Sequence, residues 1–245
     1  VVHGGPGAPG YMAPVARELA KYMGVLEPLQ TKNSVDGQVE ELADFMKKNA
    51  DIPVVLIGHS WGATLSYLTT ARYPVLVKKL VLIGTSPIFS LKLPDVTPIW
   101  LERLSEAGRR EVFALADDIH SENGGDKNAS LGKLIRLISG AHTYDPLPVK
   151  DEVLAYQYDI NNAIGLEIRK LLAGGTLAGE CKTITCPVVA IHGDYDPQPA
   201  ELVREQFQQM LRDFKFILLQ KCGHSPWLEM HARDEFYKVL RKEIV

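Results

Sequence analysis

Apolar residues follow two alternating rhythms along this chain. Short, nearly continuous apolar runs recur at Pro53–Ile57, Lys79–Ile83, Pro187–Ile191 and Phe216–Leu219, and each predicts a buried strand. Between them, apolar positions fall three and four residues apart. This holds from Met12 to Met23, at Val35, Val39, Leu42 and Met46 behind a Ser34 cap, and across Ala63–Tyr73, Pro199–Arg212 and Pro226–Ile244. That spacing keeps one face of a helix apolar, so these segments predict helices. Strands alternating with helices predict a parallel sheet covered on its faces. Gly24–Glu27 predicts one more short strand, and Val1-Val2 reads as the tail of another.

From residue 88 to residue 183 the rhythm is helical only. Ile99-Trp100-Leu101, Val112-Phe113, Leu131–Ile138 and Leu166–Leu172 lie in periodic segments, divided by turns such as Asn123-Gly124-Gly125 and Asp145-Pro146. The pattern predicts an α/β core made of residues 1–87 and 184–245, interrupted by a helical insertion over 88–183.

With 245 residues, 46% of them apolar, the chain has material for one sizeable core with an insertion rather than two independent domains. A net charge of −3 with no basic block argues against nucleic acid as the main partner. All of the excess acid falls within residues 88–182. No apolar run approaches the roughly 18–20 residues that span a bilayer, so no membrane partner is expected. Cys181, Cys186 and Cys222 neither form a closed disulfide framework nor pair at zinc-site spacing. A cytoplasmic setting is the expectation, although a chain beginning at Val1 is also compatible with a removed signal peptide. Nothing in the sequence bears on oligomeric state.

The chemistry starts at Gly58-His59-Ser60-Trp61-Gly62, which follows a predicted strand directly and opens a predicted helix. G-x-S-x-G in that setting predicts a sharp turn that lifts the serine hydroxyl above the carboxyl end of a sheet. The flanking glycines are needed because a Cβ there would meet the neighbouring strand or helix. A serine needs a base, an orienting acid and donors for an oxyanion. His3-Gly4-Gly5-Pro6-Gly7 is a glycine-rich loop that can bring backbone N–H groups to a carbonyl. Asp194 and Asp196 follow the run ending at Ile191, and His224 follows the run ending at Leu219. Three strand ends thus present Ser, Asp and His in that order. Among other candidates, His59 and His192 read as packed loop histidines and Cys222 as a small buried filler.

In these motifs the chain resembles the α/β-hydrolase-fold enzymes, whose triad runs Ser, then Asp or Glu, then His. HGGPG and the Trp after the serine resemble the proline iminopeptidase branch of that superfamily. The resemblance covers Val1 to about Pro87 and about Ile184 to Val245. It implies Ser60 as nucleophile, His224 as base, Asp196 rather than Asp194 as acid, and the N–H groups of Gly5 and Trp61 as the oxyanion hole. His3 would pack beneath the oxyanion loop, and the insertion would be a cap roofing the serine. Relatives usually carry two further strands and a full third strand ahead of the oxyanion loop. The implied substrate is a small ester or an amide or peptide, with no metal or organic cofactor. Iminopeptidases usually have Gly where this chain has His59, which separates the hydrolase expectation from the aminopeptidase one. In an aminopeptidase, cap carboxylates would hold the substrate amine, and Glu102, Glu106, Asp159 and Glu167 are the candidates. The same fold also hosts carboxylesterases, C–C bond hydrolases and small-molecule receptors with little turnover.

Overall fold

A computed structural model of the protein describes residues 1–121, 125–150 and 152–244. The four apolar runs become strands β1 (Val54–His59), β2 (Val77–Ile83), β3 (Val188–Gly193) and β4 (Phe214–Leu219). They lie side by side in the order β1-β2-β3-β4, every neighbouring pair parallel. Successive side chains on a strand face opposite sides, so a continuous apolar run builds two cores at once. Leu56, Leu80, Leu82, Val188 and Ala190 pack on one side of the sheet, with Val39 and Leu42 of a helix over Val35–Asn49 and with Leu65 and Leu68 of a helix over Trp61–Arg72. Ile57, Val81, Ile83, Val189 and Ile191 pack on the other side, with Val15, Leu19, Phe236 and Leu240.

The helices of this core are α1 (Ala13–Leu19), α2 (Val35–Asn49), α3 (Trp61–Arg72), α9 (Ala200–Met210) and α10 (Arg233–Ile244). Ser34 caps α2, its hydroxyl accepting from the Gly37 N–H at 3.2 Å. α3 is buried all round from Trp61 to Ala71, so its polar side chains need internal partners. The hydroxyls of Thr69 and Thr70 donate back to the carbonyls of Leu65 and Ser66 (2.8 and 2.7 Å).

Residues 88–183 contain α4 (Thr97–Arg103), α5 (Glu106–His120), α6 (Lys127–Ala141), α7 (Tyr158–Ala173) and α8 (Thr176–Glu180), and no strand among the described residues. Ser105 and Asp126 cap α5 and α6 through their side chains. Of the predicted turn at Asn123-Gly124-Gly125, Asn123 and Gly124 lie outside the described residues.

Three elements differ from expectation. The first predicted helix runs only from Ala13 to Leu19. Gly24–Glu27 forms no strand; Val25 and Leu26 instead line a cavity of about 600 Å³ along the outer edge of β1, together with Val54 and Leu56. Val2 does pair, in parallel with Gly58: its N–H donates to Ile57 O (2.7 Å) and its carbonyl accepts from His59 N (3.1 Å). The last predicted helix divides into a single turn at Pro226–Leu228 and α10. Between them the wholly buried Glu229 accepts N–H groups from outside the helix, which apolar spacing could not foretell.

Candidate active site

The turn between β1 and α3 places Ser60 at φ 54°, ψ −120°, a conformation that L-residues adopt only when their surroundings impose it. The imposing contacts are backbone. Ser60 N–H donates to Ile83 O at the end of β2 (2.9 Å), and Ser60 O accepts from Ala63 and Thr64 at the start of α3. A Cβ on Gly58 would run into the Gly62 carbonyl, and one on Gly62 would run into the carbonyls of Val2 and His3. Only glycine fits at either place. The Ser60 side chain does not cap α3, and its hydroxyl has no hydrogen bond among the described residues.

His224 and Asp196 come together. His224 Nδ1 and Asp196 Oδ2 are 2.8 Å apart, the distance of a charge-assisted hydrogen bond. Asp196 also accepts from the Gln198 N–H at Oδ1 (2.9 Å), and His192 Nε2 stands 3.5 Å from Oδ2. The carboxylate is fully buried, whereas 13% of the His224 side chain stays exposed, so the imidazole can be reached from outside and the carboxylate cannot. Burial alone would raise the Asp196 pKa. The imidazoles of His224 and His192 and the two hydrogen bonds outweigh it, holding the carboxyl far below its ordinary range. Asp194 does other work: its Oδ1 accepts the Cys222 N–H (3.0 Å) and braces the chain leading into His224. Gly84, next after Ile83, packs so close to His224 that a Cβ there would sit 3.0 Å from Nδ1. The serine and the imidazole therefore stand over neighbouring strand ends.

The HGGPG loop lies against this turn. A Cβ on Gly4 would be 3.0 Å from Ser60 Cβ. Gly5 has φ +120°, and among the described residues neither its N–H nor that of Trp61 has a hydrogen-bond partner. Beneath the loop, the buried His3 receives the Gln30 N–H at Nε2 (3.3 Å), which leaves Nδ1 as the donor to Gly4 O (2.9 Å). Gln30 Nε2 donates to His3 O (2.8 Å). Burial lowers the His3 pKa, and the ring acts as a neutral strut. Trp61 turns its indole inward, donating Nε1–H to Gln38 Oε1 (2.9 Å).

His59 is buried against Tyr11, Trp227 and His224, its ring centroid 5.6, 4.7 and 4.8 Å from theirs. Its Nε2 lies 3.0 Å from His224 O, a carbonyl that only accepts, so Nε2 carries the proton. Burial, and then the neighbouring His224, push its pKa well below the ordinary value. Cys222 is buried, and burial pushes its thiol pKa far up. It is no nucleophile. Among the described residues no cluster of three or more His, Cys, Asp or Glu is placed to hold a metal ion.

Residues 142–161 supply contacts that no motif announced. His142 O accepts the His224 N–H (2.9 Å), and its ring meets the His224 ring edge-on at 5.1 Å. Burial, then the proximity of His224, push the His142 pKa down to about 3. Glu229 accepts from Gly223 N beside His224 and from Tyr144 N and Asp145 N (2.6, 3.0 and 3.0 Å). On the side of the HGGPG loop, Leu154 N, Gln157 N and Asn161 Nδ2 donate to the carbonyls of Pro9, Gly7 and Pro6. Glu229 had one legible signal, an acid directly after Pro226-Trp227-Leu228 and before Met230. His142 had none.

The four carboxylates expected to meet a substrate amine are placed otherwise. Glu102, Glu106 and Asp159 are exposed, and Glu106 pairs with Arg110. Glu167 Oε2 accepts the Val35 N–H at the start of α2 (2.8 Å).

Comparison with known proteins places this site in context. The model of the alpha/beta hydrolase family matches residues 1–239. A proline iminopeptidase of Heyndrickxia coagulans is 26% identical over 94% of this chain and 84% of its own length. A pimeloyl-(acyl-carrier protein) methyl ester esterase of Nitrosospira multiformis is 25% identical over 80% of this chain and 70% of its own. Among solved structures, Est816, described as an N-acyl homoserine lactone degrading enzyme, superposes with a TM-score of 0.67 at 12% identity, covering 98% of this chain and 90% of its own. E-2-(acetamidomethylene)succinate hydrolase superposes with a TM-score of 0.61 at 17% identity over 99% and 89%. These superpositions speak for the fold alone. No helix among the described residues is long and apolar enough to cross a membrane.

Proposed function

The chain belongs to the alpha/beta hydrolase family, and on that premise we propose that it is a serine hydrolase cleaving a small ester through an acyl-enzyme on Ser60. The observation that carries this reading is the 2.8 Å contact between His224 and the buried Asp196, one strand end away from a serine held at positive φ. His224 takes the Ser60 proton as the hydroxyl attacks the substrate carbonyl. Asp196 fixes the imidazole through Nδ1–H and stabilises its cation. The unpartnered N–H groups of Gly5 and Trp61 meet the developing oxyanion, and His224 then protonates the leaving group. Water repeats the steps on the acyl-enzyme. Residues 88–183 act as the cap, excluding water from above.

An ester is favoured over a peptide with a free amino terminus because an ammonium needs a carboxylate facing it, and the four candidates are exposed or engaged elsewhere. The relatives with named activities include both kinds. The test is a screen of p-nitrophenyl esters beside aminoacyl-naphthylamides, with a fluorophosphonate probe run in parallel. Ester turnover and labelling confined to Ser60 are expected. Absence of labelling would overturn the nucleophile. Labelling without turnover of any ester would favour a ligand-binding receptor on the same fold.

A further inference from the structure

Two ring nitrogens on the cap side of the base are buried and have no hydrogen-bond partner: Trp100 Nε1 and His142 Nε2. The rings adjoin each other, with centroids 5.3 Å apart, and the His142 ring adjoins His224 at 5.1 Å. A buried polar group without a partner is uncommon in a folded protein, and each instance asks for a reason. A tryptophan N–H is a donor only, and a neutral imidazole donates from Nε2 in one of its two tautomers. His142 is neutral at working pH because its pKa lies at about 3.

The charge nearby selects what such a pair would hold. Arg103, on α4 three residues after Trp100, donates to the carbonyls of Ala141 and Tyr195 and lies 3.5 Å over the Tyr195 ring. It is close enough to His142 to contribute to lowering its basicity. A substrate ammonium would face two donors and a guanidinium. A carbonyl or carboxylate oxygen would find partners for the former and attraction from the latter.

We propose that Trp100 and His142 form a cap subsite for an oxygen acceptor carried by the substrate besides its scissile carbonyl, so that the preferred esters are those of oxo acids or of dicarboxylic acids. This rests on the serine hydrolase reading for its link to turnover. The subsite itself is a statement about binding.

The experiment uses p-nitrophenyl esters of pentanoate, 4-oxopentanoate, succinate (the half-ester) and 4-aminobutanoate. Wild-type kcat/KM is expected to be about 10-fold higher for the oxo ester than for pentanoate, and more for the half-ester, the range expected for one hydrogen bond to a neutral and to a charged acceptor. The 4-aminobutanoate ester is expected to be the poorest. Trp100→Phe keeps an aromatic ring and removes the donor, so the oxo-to-pentanoate ratio should fall towards one, chiefly through KM. His142→Phe should do the same, while His142→Gln, which retains an N–H, should recover part of the ratio. Direct binding of the same esters to Ser60→Ala, followed by protection against thermal unfolding, gives the order without turnover. A protein that turns over no ester but keeps this order in binding would sink the hydrolase reading and leave the subsite standing. Turnover with no preference for the oxygenated esters, a preference for 4-aminobutanoate, or an unchanged ratio in a folded Trp100→Phe would overturn the subsite.

Discussion

Two parts of the molecule meet at His224, and they hold it by different means. The sheet side is steric. Backbone hydrogen bonds hold Ser60 at positive φ, carbonyls leave no room for a Cβ on Gly58 or Gly62, and Gly84 packs closely against His224. The cap side is made of single hydrogen bonds from irregular chain: His142 O to His224 N, Glu229 to Tyr144 and Asp145, and Gln157 N to Gly7 O. A close-packed arrangement yields to any added atom. A set of hydrogen bonds yields only to the loss of a particular donor or acceptor. The sheet side therefore fixes the backbone around Ser60 and His224, and the side of the 88–183 insertion fixes where the loops carrying them rest.

If that division holds, substitutions on the sheet side should remove chemistry and leave stability, and those on the cap side the reverse. The largest effect is expected at Ser60→Ala, with kcat lower by about 10⁴–10⁶ and the melting temperature within about 2 °C of wild type. A folded variant retaining a tenth of the activity would end the assignment. Asp196→Asn should cost about 10⁴ in kcat, because the amide no longer imposes the Nδ1–H tautomer. Asp194→Asn, which keeps the oxygen that accepts from Cys222 N, should cost less than about 10-fold. Equal losses at the two positions would mean that the bracing of the loop, not the partner of His224, dominates.

On the cap side, Glu229→Ala strands one buried and two part-buried N–H groups and should destabilise the fold by about 2–4 kcal/mol in chemical denaturation. A change below about 1 kcal/mol would show that the cap is anchored elsewhere.

The smallest and most graded effect concerns pH. His3, His59 and His142 have folded pKa values below the ordinary one, each chiefly through burial. The unfolded chain binds protons near pH 6.5 that the folded chain refuses, so their contribution is intact above that pH and declines as pH falls through it. For His142 the decline continues to about pH 3. Each such imidazole adds a slope of about 1.4 kcal/mol per pH unit within its window. His142→Phe should flatten the stability profile between pH 6 and pH 4 by about that slope. Asp196, also depressed, keeps its contribution down to about pH 4 and loses it only below, so the two losses separate in a titration. A wild-type profile level from pH 7 to pH 5 would contradict the buried neutral histidines.

The same division explains what the sequence disclosed. Strand runs, helix spacing and the glycines around Ser60 act over a few residues, and the four strands formed within two residues of their predicted ends. Asp196 and Asp194 could be ranked only through a family spacing, since both stand in one loop and nothing local distinguishes a carboxylate facing His224 from one facing Cys222 N. The cap contacts were illegible for a stronger reason. His142 reaches His224 by a backbone carbonyl, a group every residue owns, and from 82 positions away. Glu167 lies in the periodic stretch Leu166–Leu172 and was a candidate to meet a substrate amine, yet it serves the amino end of α2 across 132 residues. The Gly24–Glu27 run has strand composition but no ladder partner, and pairing is not a property of one segment.

Glu229 has a consequence for how such a molecule can be recombined. Its carboxylate is owned jointly: one N–H comes from the loop of His224 and two from the connection between α6 and α7, in the middle of the insertion. A cap transplanted from a relative would arrive with its own backbone donors, spaced for an acceptor that the recipient does not possess. Swaps with junctions at residues 88 and 183 should therefore give poorly soluble chimeras unless 223–230 travels with the graft. Exchange of single side chains such as Trp100 leaves that joint ownership intact. Diversification of specificity in this architecture is thus easier by point change under a conserved footing than by shuffling of whole modules.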